Sequence, residues 1–340
     1  MPIRKFVRRR QLVYLALLAL AVFLFIPRLT GFDNVAVLLS DADPSYLFIA
    51  LVTEMLRYFV SAGSTLALAR LFQRKVPFFQ MTEAFFAGAA LNRVFSTGGA
   101  PGMVVRLVFL LKHQVTTGSV AAIYMIEDII GLGIGLIIFA VGIVTIASRE
   151  TTNFVNDLAI AFAVGTIPLA LAAVFVIRDR PAIERLVHGA ARTTDRIIQR
   201  FFHRSIYTYE RVEQSLNDFY LGMSAARHRP HLVVVSFLMN VLRYGCGAVA
   251  LYFSFLGLGQ AIAPGVLLLL FTTTSLLSST SAVLGEVAIM GTGFVILSSA
   301  LGLAPDVAVV GLIVARTLAF WLPMPVGLLA LLHLRQRHDL

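Results

Sequence analysis

Residues 84–111 read AFFAGAALNRVFSTGGAPGMVVRLVFLL. Two apolar runs are split by Ser96-Thr97-Gly98-Gly99-Ala100-Pro101-Gly102. A straight helix does not carry such a stretch at its middle, where glycine costs about 1 kcal/mol and proline about 3. Each arm is about 14 residues, roughly 20 Å at the helical rise, and is too short to cross a hydrocarbon core about 30 Å thick. The stretch reads as a re-entrant hairpin that enters and leaves on one side of a membrane. It sets the direction of every segment after it, and arms of nearly full length would leave that topology unchanged.

The membrane setting follows from composition. Of 340 residues, 58% are apolar and 14% charged, and the mean hydropathy is +0.85. A soluble chain carries about a quarter charged residues, so most of this exterior must face lipid. The formal charge of +10 and pI near 10.2 raise nucleic acid as a partner, but that needs a basic face on a soluble fold. Nucleic acid is therefore excluded. The predicted fold class is all-α, a polytopic helical membrane protein.

Six segments read as single passes: 11–27, 45–69, 117–147, 157–177, 231–257 and 307–333. The first follows a basic N-terminus and resembles a signal peptide. Pro27-Arg28 follows it without a small-residue cleavage site, so it is read as a retained span. A second broken stretch, 263–302, is interrupted by Thr272 to Ser275, by Ser278 to Ser281 and by Gly285, Gly291 and Gly293. It is read as a second hairpin. Six passes and two hairpins put 21 of the 28 Lys and Arg on one side and only Arg28 and Arg149 on the other. Cytoplasmic loops hold the Lys/Arg excess, which predicts a cytoplasmic-membrane protein with both termini cytoplasmic.

The chain then divides into a first membrane half (1–177, hairpin 84–111), a basic cytoplasmic linker (178–230) and a second half (231–340, hairpin 263–302). Apolar residues recur at helical spacing in the linker. It is either an amphipathic helix on anionic headgroups or a solvated helix joining the halves. Leu56-Arg57-Tyr58 recurs as Leu242-Arg243-Tyr244, and Ala62 maps onto Ala248 at the same offset. Each arginine helix is followed by a broken hairpin and then by a helix with buried charge, and the halves run in opposite directions. That is the signature of an inverted-topology repeat, which places substrate near the midplane between broken helices.

Nine ionisable residues lie within apolar segments: Glu54, Arg57, Arg93, Arg106, Glu127, Asp128, Arg243, Glu286 and Arg316. Facing lipid unpaired, each costs on the order of 3 kcal/mol. Glu54 and Arg57 share a helix face and are expected to pair. Glu127, Asp128 and Arg243 are expected to serve in further charge pairing within the bundle, the two acids as counter-ions to an arginine, with a response to protons as the alternative for one of them. Arg93, Gly98, Gly99, Gly102 and Arg106 surround the first break, where guanidinium forks and free helix N–H groups suit an anionic headgroup. Glu286 and Arg316 hold matching places in the second half. These seven are the candidate substrate-binding residues.

Enzyme signatures are absent: there is no GxxxxGK[ST], HExxH or GxSxG. His113, His188, His203, His228, His231, His333 and His338 lack ligand spacing, and the one cysteine, Cys246, reads as a small buried apolar residue. No catalytic residue, cofactor or metal is expected.

Three stretches resemble the transmembrane-region family of lysylphosphatidylglycerol synthetases, polytopic flippase-like proteins of bacteria and archaea, over about residues 10–333. Asn92 to Lys112 is similar to that family's asparagine, glycine-rich turn, G-E-x-x-R and "LLK" pattern, with Gly102 and Arg106 in place and Met103 for the glutamate. Ser279 to Gly291 aligns with its P-G-G-x-G-x-R-E segment, keeping Glu286; Gly285 stands for the arginine. Ala315 to Pro323 is close to its R-x-x-x-F-W-x-P ending, with Arg316, Phe320, Trp321 and Pro323 in place. The resemblance implies lipid handling without the soluble aminoacyl-transfer domain, and the departures imply a different headgroup.

The function expected is a lipid flippase or transporter that moves an anionic lipid between leaflets by alternating access. Two other readings stay open: an intramembrane transferase acting on a lipid or isoprenoid phosphate, and a non-transporting partner of an envelope-assembly complex. Membrane lipids are the expected partners, with a homo-oligomer or an envelope-biogenesis partner as further classes.

Overall fold

A computed structural model describes residues 40–95, 99–147, 208–280, 294–321 and 323–337, with positions 160, 181, 184–185, 187–189, 191–193 and 195 between them. Among these, every regular element is helical. The elements are α1 (Pro44–Ala69), α2 (Phe78–Phe95), α3 (Ala100–Lys112), α4 (Thr117–Ala147), α5 (Tyr209–His228), α6 (Pro230–Leu256), α7 (Pro264–Thr280), α8 (Pro305–Arg316) and α9 (Pro323–Gln336). Residues 294–300 are also helical. The predicted span 11–27, all of 157–177 but residue 160, Gly98 and the tip of the second hairpin with Glu286 lie outside the described residues.

Four helical stretches among the described residues are long and apolar enough to cross a membrane: Pro44–Phe72, Thr117–Ala147, Pro230–Leu256 and Pro305–Gln336. Their starts follow local chemistry. Proline opens α1, α6, α7 and α8, where its missing N–H is one the helix does not use. Before α1, the Asp43 carboxylate accepts from the Ser45 N–H at 2.8 Å. Outward faces are apolar: Phe48, Ile137, Val144, Leu238 and Leu329 are all exposed, whereas Glu54 is 5% exposed. That inside-out distribution suits a lipid surround.

The helices pair across the sequence. α1 and α6 run antiparallel. The Asp43 N–H donates to the Gly257 carbonyl at 2.7 Å at one end, Tyr46 stacks on Phe253, and Gly63 faces Met239 near the other end. This register brings Leu56-Arg57-Tyr58 alongside Leu242-Arg243-Tyr244. α4 runs antiparallel to α7, with Gly142 against Leu269 and Gly265 against Thr145 and Ile146. α2 runs antiparallel to α9: Gly327 meets the Phe86 carbonyl and Ala90, and His333 Nδ1 lies 2.9 Å from Glu83 Oε2. The hairpin of each half thus packs on the last described helix of the other half.

Both ends of the α2–α3 hairpin lie at one end of the bundle, where Arg74 Nη1 donates to Gln114 Oε1 at 3.0 Å. Its first arm is longer than the sequence suggested: α2 has 18 residues, roughly 27 Å. The second hairpin starts from the opposite end. α7 begins against Thr145 and Ile146 at the end of α4, and Phe294 stacks on Phe255 at the end of α6 with ring centroids 6.2 Å apart.

One expectation is refined. The last span, read as one pass over 307–333, is interrupted: α8 ends at Arg316, Thr317–Trp321 form a π turn, and α9 restarts at Pro323. Proline carries no N–H to give the carbonyl four residues earlier, and its ring crowds that carbonyl, so the ladder opens at Ala319. Within 178–230, α5 packs on the bundle. Gly118 packs against Ser215 and Asp218, Gly222 packs against Phe72 and Ala122, and Leu216 is buried. Its exposed positions include Glu210, Glu213, Asn217, Arg227 and His228, charges of both signs.

Candidate functional site: a polar seam between the two halves

The α2–α3 turn is built for close approach. Gly99 sits at φ +84°, in the left-handed region that glycine tolerates, and precedes α3 as its cap. A Cβ on Gly102 would lie 2.5 Å from Asn92 Nδ2 and 2.7 Å from the Gly88 carbonyl oxygen. Glycine at 102 therefore lets the two arms cross. Asn92 Oδ1 accepts the Gly102 N–H, and Pro101 has no N–H to offer. Two of the first three backbone positions of α3 are thus closed to an anion.

Arg93 reaches across the bundle. Its Nη2 donates to the Tyr58 hydroxyl at 3.0 Å and to the Ala319 carbonyl. That carbonyl is the one Pro323 releases, so the guanidinium closes the break in the last span and ties it to α1 and α2. Arg316 ends α8 just before the same π turn and is partly buried.

The remaining charges gather where α1, α3, α4 and α6 meet. Glu54 and Arg57 form a bidentate pair within α1, with Arg57 Nη1 at 2.9 and 2.8 Å from the two carboxylate oxygens. Gly247 on α6 passes beside this guanidinium and makes room for Phe271: a Cβ there would lie 2.6 Å from the Phe271 ring and 3.5 Å from Arg57 Cζ. On α4, Glu127 Oε1 accepts from Ser64 at 3.0 Å and from Thr65 at 2.8 Å. Ser64 Oγ lies 2.9 Å from Ser236 Oγ, and Asn240 Nδ2 donates to Ser64 Oγ at 2.8 Å and to the Ser236 carbonyl at 2.9 Å. One hydrogen-bonded chain therefore links α4, α1 and α6.

Two arginines stand around this chain. Arg106, on α3, lies over the rings of Phe85 and Tyr124 at 4.7 and 5.2 Å, an arrangement favourable to a guanidinium. Arg243, on α6, passes along α4 at Gly131, where a Cβ would come within 3.4 Å of its Nη2. The adjacent Tyr244 hydroxyl donates to the Gly131 carbonyl at 3.0 Å. Both guanidiniums act electrostatically on Glu127 and Asp128. Arginine forks held among aromatic rings and beside carboxylates can take an anionic oxygen bidentately. Among the described residues, no group of three or more His, Cys, Asp or Glu side chains could hold a metal.

The structure thus brings Glu54, Arg57, Arg106, Glu127, Asp128 and Arg243 together and places Arg93 and Gly102 in structural contacts nearby. Reading the sequence missed Ser64, Thr65, Ser236 and Asn240. Their one signal is helical spacing: Ser236 and Asn240 stand four apart on α6, and Ser64-Thr65 stand seven and eight after Arg57 on α1.

A family model described as the lysylphosphatidylglycerol synthase TM region matches residues 11–327. The chain is also 20% identical over 338 residues to the UPF0104 membrane protein MJ1595 of Methanocaldococcus jannaschii, covering 95% of this chain and 96% of that one. This chain belongs to the lysylphosphatidylglycerol synthase transmembrane-region family and is a multi-pass membrane protein.

Proposed function

We propose that this member of the lysylphosphatidylglycerol synthase transmembrane-region family moves an anionic lipid between the leaflets of a bacterial inner membrane. It does so as a transporter rather than an enzyme, with both termini cytoplasmic. The observation that carries the reading is the antiparallel α1–α6 crossing, which gathers charges from both halves at one seam. The cross-packing of α4 on α7 and of α9 on α2 supports an inverted repeat with two oppositely entering, re-entrant hairpins. In such repeats the binding site lies between the halves and access alternates by rocking of one against the other.

On this reading a phosphate headgroup engages Arg106 and Arg243 while the acyl chains stay in lipid. Glu286 and Arg316 complete the site from the second half. Arg93 with Gly98, Gly99 and Gly102 shapes its floor. The test is reconstitution of the full chain in liposomes with a labelled anionic lipid, followed between leaflets by quenching from outside. Faster exchange than in protein-free vesicles is the expected result. No acceleration for phosphatidylglycerol, phosphatidate or a polyprenyl phosphate by folded protein would overturn the reading.

A further inference from the structure

Glu127 is held by hydroxyls rather than by a guanidinium. Ser64 and Thr65 donate to its Oε1 at 3.0 and 2.8 Å, while neither Arg106 nor Arg243 comes within the 4 Å of an ion pair with it. Arg106 reaches this stretch of α4 from α3, over the Tyr124 ring, and Arg243 reaches it from α6, beside Gly131. They are also the arginines assigned above to an anionic headgroup, so the inference rests on that reading. An anion and the Glu127 carboxylate therefore share the same two positive charges.

That sharing has a thermodynamic consequence. With the site empty, guanidiniums near a buried carboxylate offset part of the cost of burying its charge. An anion seated on them brings a like charge close to Glu127 in a poorly screened interior, and like charge favours the neutral acid. The structure provides for the neutral form too. One turn earlier on the same face, the Tyr124 hydroxyl is buried without a hydrogen-bond partner, 8% of its residue surface being exposed. Residues three apart share a helix face, so this hydroxyl is an unused acceptor on the face that carries Glu127.

The surrounding groups are accounted for. On α4 itself, Asp128 is the other titratable neighbour. α1 contributes the Glu54–Arg57 pair and Tyr58, which is bonded to Arg93 of α2. α6 adds Arg243, Asn240 and Tyr244, the last bonded to Gly131. On α5, Asp218 packs near Gly118, roughly 14 Å down α4 from Glu127, and α7 carries no ionisable residue. A metal ion fits less well, because the oxygens of this seam already satisfy one another at 2.8–3.0 Å.

We propose that Glu127 is a proton-binding site linked to headgroup binding: one proton enters from water when an anion occupies Arg106 and Arg243, and returns to water when it leaves. By reciprocity, protonation tightens anion binding by the same factor that the anion tightens proton binding.

The test is calorimetric titration of the full chain in nanodiscs with short-chain phosphatidylglycerol, whose phosphodiester keeps one charge between pH 5 and 9. Repeating it in buffers of different ionisation enthalpy counts protons. Wild type should take up about one proton per headgroup, and its affinity should fall by up to about tenfold per pH unit where Glu127 titrates. Glu127→Gln should bind with no uptake and no pH slope, whereas Asp128→Asn should keep the uptake. Wild-type binding without proton uptake at any pH overturns the proposal, and needs no variant to fold. Uptake retained in Glu127→Gln overturns it as well. No binding in either protein at any pH sinks the headgroup reading and this inference together.

Discussion

Ser64 on α1 and Ser236 on α6 hold their hydroxyl oxygens 2.9 Å apart where the two halves cross. Neither side chain faces water or lipid, being 2% and 0% exposed. The pair is the midpoint of the chain that runs from Glu127 to Asn240. Interhelical hydrogen bonds in membranes average about 0.6 kcal/mol, with a maximum near 1.7, so the seam is a modest and reversible fastening. That suits the rocking of one half against the other that the proposed function requires.

Replacing Ser64 by alanine removes a donor to Glu127, an acceptor for Asn240 and the partner of Ser236. The expected loss is about 1–3 kcal/mol, more than one bond because buried groups are left unsatisfied. Thr65→Val removes a single donor and should cost about 1 kcal/mol or less. Thermal unfolding of the two purified variants in one detergent ranks them.

The Glu54–Arg57 pair makes a sharper prediction. Glu54 keeps 7% of its side-chain surface and Arg57 keeps 35%. Arg57→Ala strands a buried carboxylate and should cost about 3 kcal/mol, the low end for a broken buried pair because the arginine is partly exposed. The Glu54→Gln/Arg57→Gln double variant should recover most of that loss. A double-mutant cycle on unfolding free energies reads the coupling, and additive single losses would refute it.

Two glycines separate steric from intrinsic effects. Gly102→Ala places a Cβ 2.5 Å from Asn92 Nδ2 and 2.7 Å from the Gly88 carbonyl. It should force the hairpin arms apart and cost about 1–3 kcal/mol. Gly133→Ala on α4 meets nothing within 4 Å and should be neutral or stabilising by up to about 1 kcal/mol through helix propensity. The difference in melting temperature between the two variants checks both.

Arg106→Gln and Arg243→Gln should each slow leaflet exchange of the transported lipid by about tenfold or more, since a charge-assisted hydrogen bond contributes about 1.5–3 kcal/mol. Lysine at either position should restore part of the rate, because it keeps the charge and loses the fork. Exchange rates in liposomes, normalised to the folded fraction, decide it. Equal rates for wild type and both glutamine variants would remove these residues from the site.

Much of this was legible in the sequence where apolar runs meet proline or charge. The predicted segments 45–69, 117–147 and 231–257 differ from α1, α4 and α6 by a residue or less at each end. Pro44, Pro230 and the Thr116-Thr117 step punctuate them. The hairpin at Ser96 to Gly102 was visible for the same reason. What escaped was the chemistry of small polar residues: a serine in an apolar helix disturbs no pattern, and only packing shows that Ser64, Ser236 and Asn240 meet. Pro323 was visible too. Its effect on the Ala319 carbonyl, and the use of Arg93 to satisfy it, depends on α2 lying alongside α9.

The pairing of α2 with α9 also bears on how the chain is made. Glu54 bonds to Arg57 within its own helix, and Glu127 bonds to Ser64 and Thr65 of the same half. Both acids are therefore settled before the second half is synthesised, and the first half can wait in the bilayer without an exposed charge from either. The face of α2 that receives Gly327 gains this contact only after α9 has been made. Insertion can thus proceed helix by helix, while the first hairpin closes against its partner only after α9 has followed it into the bilayer.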